Sequence, residues 1–255
     1  MIDFFNDIDN EGGDGMATHV MPIFAEVHNS PADSDNQLSA EQLANLPILP
    51  LRNMVLFPGM ALPIVIGRDK SMALVKEAMR SKSHIGVVCQ VNSKVDDPQL
   101  GDLYRVGVVA DIIKVLELPD NSTNVILQGL AVMNLDAITQ TEPYLRGHVT
   151  KLDDTHPKKN DKEFNVLMQS IKEVTFHMLG NMGNSAQELS FAVKNIDSPF
   201  YMIDFLASNV PFEPRQKQLM LEERDVKKRA YMLYSFLTRE DQLVELKANI
   251  TSRTR

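Results

Sequence analysis

The chain has 255 residues, 44% of them apolar, which is enough to build one or two globular cores and excludes a fibrous or wholly disordered protein. The formal net charge of −8 comes from the N-terminus, because residues 1–45 contain nine Asp or Glu and no Lys or Arg, whereas 26 basic and 25 acidic residues follow. An acidic leader on an almost neutral body is poorly suited to bind nucleic-acid phosphates.

Two further features of the composition predict a cytoplasmic protein. Cys89 is the only cysteine, so an intrachain disulfide is excluded and a reducing compartment is expected. No apolar run approaches the roughly 18 residues of a membrane span, and the N-terminal MIDFFNDIDN lacks the basic start of a secretory signal. We therefore expect no membrane partner.

The first predicted unit is a disordered acidic leader over residues 1–45. It mixes Asp, Asn, Gly, Ser and Pro without a sustained period, so it cannot bury enough apolar surface to offset the entropy of ordering. The apolar cluster HVMPIFAEV within it is either a short docking segment or a chance placement.

Residues 46–155 are predicted to form a six-stranded β-barrel. Six runs are rich in Val, Ile and Leu and are bounded by turn residues. They are LPILPLR, ALPIVIGR, HIGVVCQV, YRVGVVADIIKVLEL, TNVILQGLAVMNLDAI and YLRGHVTKLD. Residues 119–121, Pro-Asp-Asn, predict a hairpin turn between the fourth and fifth runs. One helix interrupts the strands, with Asp69 as its expected N-cap.

Residues 156–213 are predicted to form a bundle of three short helices. In the first, apolar residues recur at three- and four-residue intervals from Phe164 to Met178. The second has its apolar stripe on Leu189, Ala192, Val193 and Ile196. Ser198 and Pro199 predict the N-cap and first turn of the third. The fold class is therefore α+β.

Residues 214–255 are predicted to form one long projecting helix. They contain no Gly and no Pro after Pro214, and a continuous helix of this length would span roughly 60 Å. The apolar stripe includes Val226, Ala230, Leu233, Leu237 and Val244. Val226, Leu233 and Leu237 are expected to pack on the bundle or on a neighbouring copy of the helix. The chain ends at ANITSRTR without a helix-stop signal, which favours a longer protein cut at this point.

Two tyrosines of this helix, Tyr231 and Tyr234, lie off the apolar stripe and are candidates to contact partners.

Motifs for catalysis or cofactor binding are missing: there is no GxGxxG, no phosphate-binding loop, no HExxH and no GxSxG. We therefore expect no catalytic, cofactor or metal residues. RNA binding stays open as an alternative, because HPKKN and DVKKR are short basic clusters, although they lack the interleaved aromatic residues that stack on bases.

Three segments together carry a family resemblance. They are LPILPLRNMVLFPGMALPIVIGRDKSMALVKEAM, VDDPQLGDLYRVGVVADIIKVLELPDNSTNVILQGL and FLASNVPFEPRQKQLMLEERDVKKRAYMLYSFLTREDQLVELKANI. In this order, from Leu46 to Arg255, they closely resemble the N-terminal region of the ATP-dependent Lon protease family. The resemblance implies a PUA-like barrel, a helical bundle and a long helix that leads to an ATPase ring. The acidic leader lies outside it.

The resemblance also implies a function for the chain. It would be the non-catalytic region that recognises unfolded, damaged or short-lived regulatory proteins for degradation in quality control and stress response, and that supports a homohexamer. ATP and magnesium would bind in the ATPase domain, and a Ser-Lys dyad would lie in the protease domain, both beyond this chain. The alternatives are a stand-alone adaptor built on this domain and an RNA-binding PUA-like module.

A client-binding patch is predicted in the stretch LPLRNMVLFPGMALPIVIGR. Its prolines stiffen the backbone, and its methionines are the adaptable side chains that suit contact with many sequences. We expect Met54, Phe57 and Met60 to contribute to such a patch. The alternative is that all three belong to the barrel core.

Overall fold

The fold is seen in a computed structural model that describes residues 38–117 and 122–253. The strands are β1 (Leu46–Leu51), β2 (Ala61–Ile66), β3 (Ile85–Cys89), β4 (Val106–Glu117), β5 (Thr123–Gln140) and β6 (Arg146–Lys151). The helices are α1 (Ala40–Ala44), α2 (Asp69–Ser81), α3 (Lys162–Met182), α4 (Gln187–Asn195), α5 (Pro199–Asn209), α6 (Pro214–Glu222) and α7 (Val226–Arg253). The predicted α+β fold with six strands and a following set of helices is confirmed. The predicted turn at residues 119–121 lies outside the described residues.

The six strands form one sheet in the order β2-β5-β4-β3-β1-β6, and β5 also pairs with β6. Only β1 and β3 run parallel among the described pairs, since β2 and α2 lie between them in the chain. β5 is 18 residues long and pairs with β2, β4 and β6, so the sheet wraps around an apolar interior. β2 lies at one end of the order.

The loop between β1 and β2 lies directly on β5. Gly59 N donates to Gly129 O at 3.0 Å, and Gly129 N donates to Met60 O at 2.9 Å. A Cβ at Gly129 would be 2.2 Å from Phe57 O, so only glycine lets the loop approach this closely. Gly59 itself has a φ of +75°, which favours glycine.

The three predicted helices of residues 156–213 are confirmed as α3, α4 and α5. Ser198 Oγ accepts the N–H of Tyr201, and Pro199 is the first residue of α5, as predicted. The predicted cap of the barrel helix is wrong: α2 has Arg68 at its N-cap without a side-chain hydrogen bond, and Asp69 is the first helical residue.

The predicted continuous helix over residues 214–255 is also wrong, because the chain breaks between α6 and α7. The Asp225 carboxylate accepts the N–H of Lys227 and of Lys228, at 3.0 and 3.1 Å, and so caps α7. Thr155 inserts beside the break, where its N donates to Arg224 O at 2.8 Å and its O accepts from Val226 N at 3.0 Å. The remaining helix, α7, has 28 residues and spans about 42 Å.

The structure also differs from the predicted leader over residues 38–45. These residues form α1, in which Ser39 and Gln42 make a reciprocal capping box. Leu38 and Leu43 pack against an apolar cluster of the sheet. The prediction of disorder is therefore wrong for this part, and residues 1–37 lie outside the described residues.

The sheet and the helices share one apolar core, although the sequence separates them into successive units. A single cluster of buried side chains includes Leu49 and Leu127 of the sheet as well as Ile171, Leu206 and Leu233 of the helices. The fully buried Gln218 of α6 adds a polar link, since its Nε2 donates to Val106 O of β4 at 3.0 Å. The helices are thus held in place by the sheet.

Candidate functional site

The groups with the greatest chemical reactivity are buried or dispersed. Burial raises the pKa of the Cys89 thiol to about 11, so the thiol stays protonated at neutral pH. Within residues 38–117 and 122–253, no group of three or more His, Cys, Asp or Glu side chains could hold a metal ion. None of the described helices is long and apolar enough to cross a membrane.

The predicted client-binding residues lie mostly in the interior. Phe57 is fully buried and Met60 is 5% exposed, both in the core cluster, while Met54 is half-buried against it. The geometry favours the core alternative for Phe57 and Met60. A client-binding role for the three stays a prediction, and among them Met54 keeps side-chain surface to make such a contact.

The predicted packing residues of the long helix lie in the interior too. Val226, Leu233 and Leu237 are fully buried in the core cluster, where α7 packs against α3, α5 and α6. Of the two alternatives, the geometry favours packing on the bundle of the same chain. A role of these side chains in assembly stays a prediction.

A network of charges around the buried Arg229 joins the end of the sheet to the helices. Asp154, which follows β6, lies 2.7 Å from Arg229 Nη2 and 3.0 Å from Arg224 Nη1. Arg229 Nε lies 3.2 Å from Asp204 Oδ1 of α5, without hydrogen-bond geometry. Burial raises the pKa of Asp204 to about 6, although the nearby Arg229 opposes the shift. This network links the start of α7 to the end of β6 and to α5.

The two tyrosines off the apolar stripe line a groove between α3 and α7. Tyr231 and Tyr234 are exposed, as the sequence predicted, and Val166 of α3 lies with them. Tyr231 OH donates to the Glu163 carboxylate at 2.5 Å, and Lys227 Nζ lies 2.5 Å from the same carboxylate. These polar contacts join Tyr231 and Lys227 of α7 to Glu163 of α3 at one side of the groove.

A second and larger groove, of about 910 Å³, lies between α3 and α4. Its lining includes Phe176, Leu179 and Phe191 together with Gly180 and Gly183. Phe191 is 71% exposed, whereas Ala192 and Val193, on the apolar stripe of α4, are buried. Sequence reasoning missed Phe191, and the available signal was its position between Leu189 and Ala192, off the apolar stripe of its own helix.

The distal end of α7 presents a separate apolar stripe. Leu243, Leu246 and Ile250 are exposed, and they recur at three- and four-residue spacing, as in the seam of a coiled coil. His177 of α3 contacts Asp241 of α7 at 2.7 Å just before the stripe begins. The sequence pattern contained this stripe, but the prediction assigned the contact face to the residues that are buried.

The comparison with known families finds one domain along most of the chain. Residues 45–239 match the substrate-binding domain of the ATP-dependent protease La (LON). The Lon protease of Parabacteroides distasonis is 49% identical over 251 residues, which are 98% of this chain and 30% of that protein. The Lon protease of Flavobacterium johnsoniae is 38% identical over 226 residues, 89% of this chain and 28% of that protein. The chain thus spans less than a third of these relatives.

Solved structures agree on the fold. The N-terminal domain of a Lon protease from the Mycobacterium avium complex superposes with a TM-score of 0.63 at 21% identity and covers 76% of this chain and 98% of its own. A Lon N-terminal domain protein from Xanthomonas campestris has a TM-score of 0.54 at 18% identity, with 75% and 98% covered. The family model and the two relatives confirm the family resemblance noted from the three sequence segments.

Proposed function

This chain belongs to the family of Lon substrate-binding domains, and on that premise we propose that it captures unfolded, damaged or short-lived regulatory proteins for an ATP-dependent serine protease. The observation that carries the proposal is the α3–α4 groove, where Phe191 holds an aromatic ring 71% exposed beside Phe176 and Leu179. Exposed apolar patches of this kind mark binding surfaces in soluble proteins.

The chemistry of the groove suits clients without a common sequence. Unfolded proteins share exposed apolar side chains, and Phe191 and Phe176 offer rings against which many such side chains can pack. Lys194 Nζ lies 5.9 Å from the centre of the Phe176 ring, so a cation borders the apolar surface and can meet acidic client residues. The groove is thus open, and its lining combines apolar side chains with the polar Gln187, Ser190 and Lys194.

The proposal divides the work between this chain and the rest of a longer protease. We propose that ATP and magnesium bind in an ATPase part and that a Ser-Lys dyad cleaves clients in a protease part, so this chain contributes recognition alone. The single cysteine, buried and protonated, is consistent with a cytoplasmic site of action in protein quality control and stress response.

Support of a hexamer is the second half of the proposal. The exposed stripe of Leu243 and Leu246 leaves apolar surface on a projecting helix, and packing that surface against another copy would remove it from water. Leu233 cannot test this role, because it is fully buried in the core of its own chain and a charge there would unfold the protein.

The capture proposal is tested by titrating the chain with a fluorescent, permanently unfolded model protein at physiological salt. We expect Phe191→Asp to weaken binding about tenfold or more, because it replaces the exposed aromatic ring of the groove by a charge. Val166→Asp is the matched control, since Val166 is equally exposed but lies in the α3–α7 groove. Equal binding of the wild type and Phe191→Asp would reject the groove.

Two other outcomes decide the function itself. If the wild-type chain does not bind unfolded protein, capture by this region is rejected. If it binds single-stranded RNA instead, with a steep loss of affinity as salt rises, the RNA-binding alternative is supported.

The assembly proposal is tested by sedimentation over a range of concentrations. We expect Leu246→Asp to weaken self-association, while Ala248→Asp, which adds the same charge at an exposed position on the opposite side of the helix, leaves it unchanged. Identical sedimentation of both variants and the wild type would reject a role for the stripe.

A further inference from the structure

The strand β2 has one hydrogen-bonded neighbour and one open edge. It pairs with β5 along its whole length, from Ala61 opposite Gln128 to Ile66 opposite Thr123. No other strand among the described residues pairs with it. Such an edge carries a row of backbone N–H and C=O groups that can accept another extended chain.

The register shows which backbone groups face the open edge. Gly129 N donates to Met60 O, so Met60 directs its carbonyl toward β5, and antiparallel pairing alternates from there. Leu62, Ile64 and Ile66 therefore bond to β5. Ala61, Pro63 and Val65 direct their groups outward, which leaves three carbonyls and the N–H groups of Ala61 and Val65 on the open edge.

Core packing holds β2 in place, but few features of its sequence protect the open edge from another strand. Ile64 and Ile66 are buried in the core, which holds the strand flat on the sheet. Natural edge strands are commonly protected from further pairing by charged side chains, bulges or proline. The sequence ALPIVI contains no charge, and Pro63 is the only protective residue in it. Pro63 removes one outward N–H without costing a bond to β5. Val65 is 69% exposed and adds apolar surface beside the edge.

From this geometry we propose that the open edge of β2 binds an extended segment of an unfolded client by adding it to the sheet as a further strand. The inference rests on the proposed function, client capture. Main-chain hydrogen bonds are the same for every sequence, so strand addition suits a receptor whose clients share no motif. The six residues of β2 offer about 20 Å of edge. The exposed Val65 favours client segments that place an apolar residue beside it.

The direct test is hydrogen exchange on the full chain, with and without a saturating permanently unfolded model protein. We expect exchange of the Ala61 and Val65 amides to slow at least tenfold when the client binds, because only these two donors of β2 face the open edge. The amides of Leu62, Ile64 and Ile66 already bond to β5 and serve as internal controls. Client binding without new protection at Ala61 and Val65 would overturn the inference and leave the capture proposal standing.

A pair of variants separates the backbone from the side chain. Val65→Pro removes an outward donor, and we expect it to weaken client binding at least tenfold, whereas Val65→Thr keeps the donor and should weaken it less than threefold. Equal effects of the two variants, or no effect of either, would overturn strand addition. If Val65→Pro does not fold, the exchange experiment on the wild type decides. Absence of any client binding by the wild type would instead reject the proposed function.

Two other occupants of the edge are distinguished by the same measurement. Protection of Ala61 and Val65 that grows with protein concentration and needs no client would assign the edge to a second copy of the chain. Protection without client that disappears on deletion of residues 1–37 would assign it to the leader, in which HVMPIFAEV is the apolar segment. Either result would overturn the inference.

Discussion

The two halves of α7 carry similar apolar spacing and have different surroundings. In the first half, Leu233 and Leu237 are fully buried against the other helices, and the buried guanidinium of Arg229 contacts the half-buried Asp154 and Asp204. In the second half, Leu243 and Leu246 are exposed. Helical spacing of apolar residues therefore indicates a contact face, but the spacing does not show whether the partner belongs to the same chain.

The charge in the buried half should have the largest effect on stability. Arg229→Ala leaves Asp154 and Asp204 without their shared guanidinium, and breaking a buried ion pair by removing one partner costs about 3–5 kcal/mol of the free energy of unfolding. Arg239→Ala is the matched control, because Arg239 is exposed on the same helix. We expect it to change stability by less than about 0.5 kcal/mol. Chemical denaturation measures both, and similar midpoints for the two variants would contradict the buried network.

The apolar side chains of the two halves give the next largest difference. Leu233→Ala should lower the free energy of unfolding by about 2–5 kcal/mol, because it leaves a cavity in a core position. Leu246→Ala removes the same atoms from an exposed position and should cost less than about 0.5 kcal/mol in a dilute solution of the chain. A cost for Leu246→Ala that rises with protein concentration would show that the exposed half is buried by a second copy.

Much of the fold was predictable because the relevant signals are local. Runs of β-branched residues marked all six strands, and Ser198-Pro199 marked the start of α5. The break before α7 was not predictable in the same way. Residues 223–225 contain neither Gly nor Pro, and the break depends on Thr155, which is distant in sequence and hydrogen-bonds to both sides of it.

The candidate surfaces show the same limit of sequence reasoning. Met60 was a reasonable client-binding residue by composition, but the approach of the loop to Gly129 turns it inward, and this approach is a tertiary contact. In the sequence, Phe191 and Val65 differ from core residues only in their position. Each is an apolar residue on the side of its helix or strand that faces away from the core. An apolar side chain that violates its own element's periodicity is therefore the better signal for an exposed apolar surface.

The smallest expected effect lies at the boundary between the two halves, where His177 contacts Asp241. The hydrogen bond with Asp241 raises the pKa of His177, and Glu245 adds to the shift. A group whose pKa is raised by folding stabilises the folded state fully below its unfolded pKa of about 6.5, and the contribution is lost as pH rises through the higher folded value. The contact between α3 and this part of α7 should therefore weaken between slightly acidic and slightly alkaline pH.

The measurement is hydrogen exchange of residues 238–245 at pH 6 and pH 8, corrected for the intrinsic effect of pH on exchange. We expect protection of this segment to fall at the higher pH, while residues 229–237 keep theirs, because the buried Leu233 and Leu237 that anchor them do not titrate. Asp241→Asn should remove the difference, since the imidazolium then has no carboxylate to contact. The same pH dependence in Asp241→Asn would show that other groups hold the boundary, and the two halves of α7 would then be joined by packing alone.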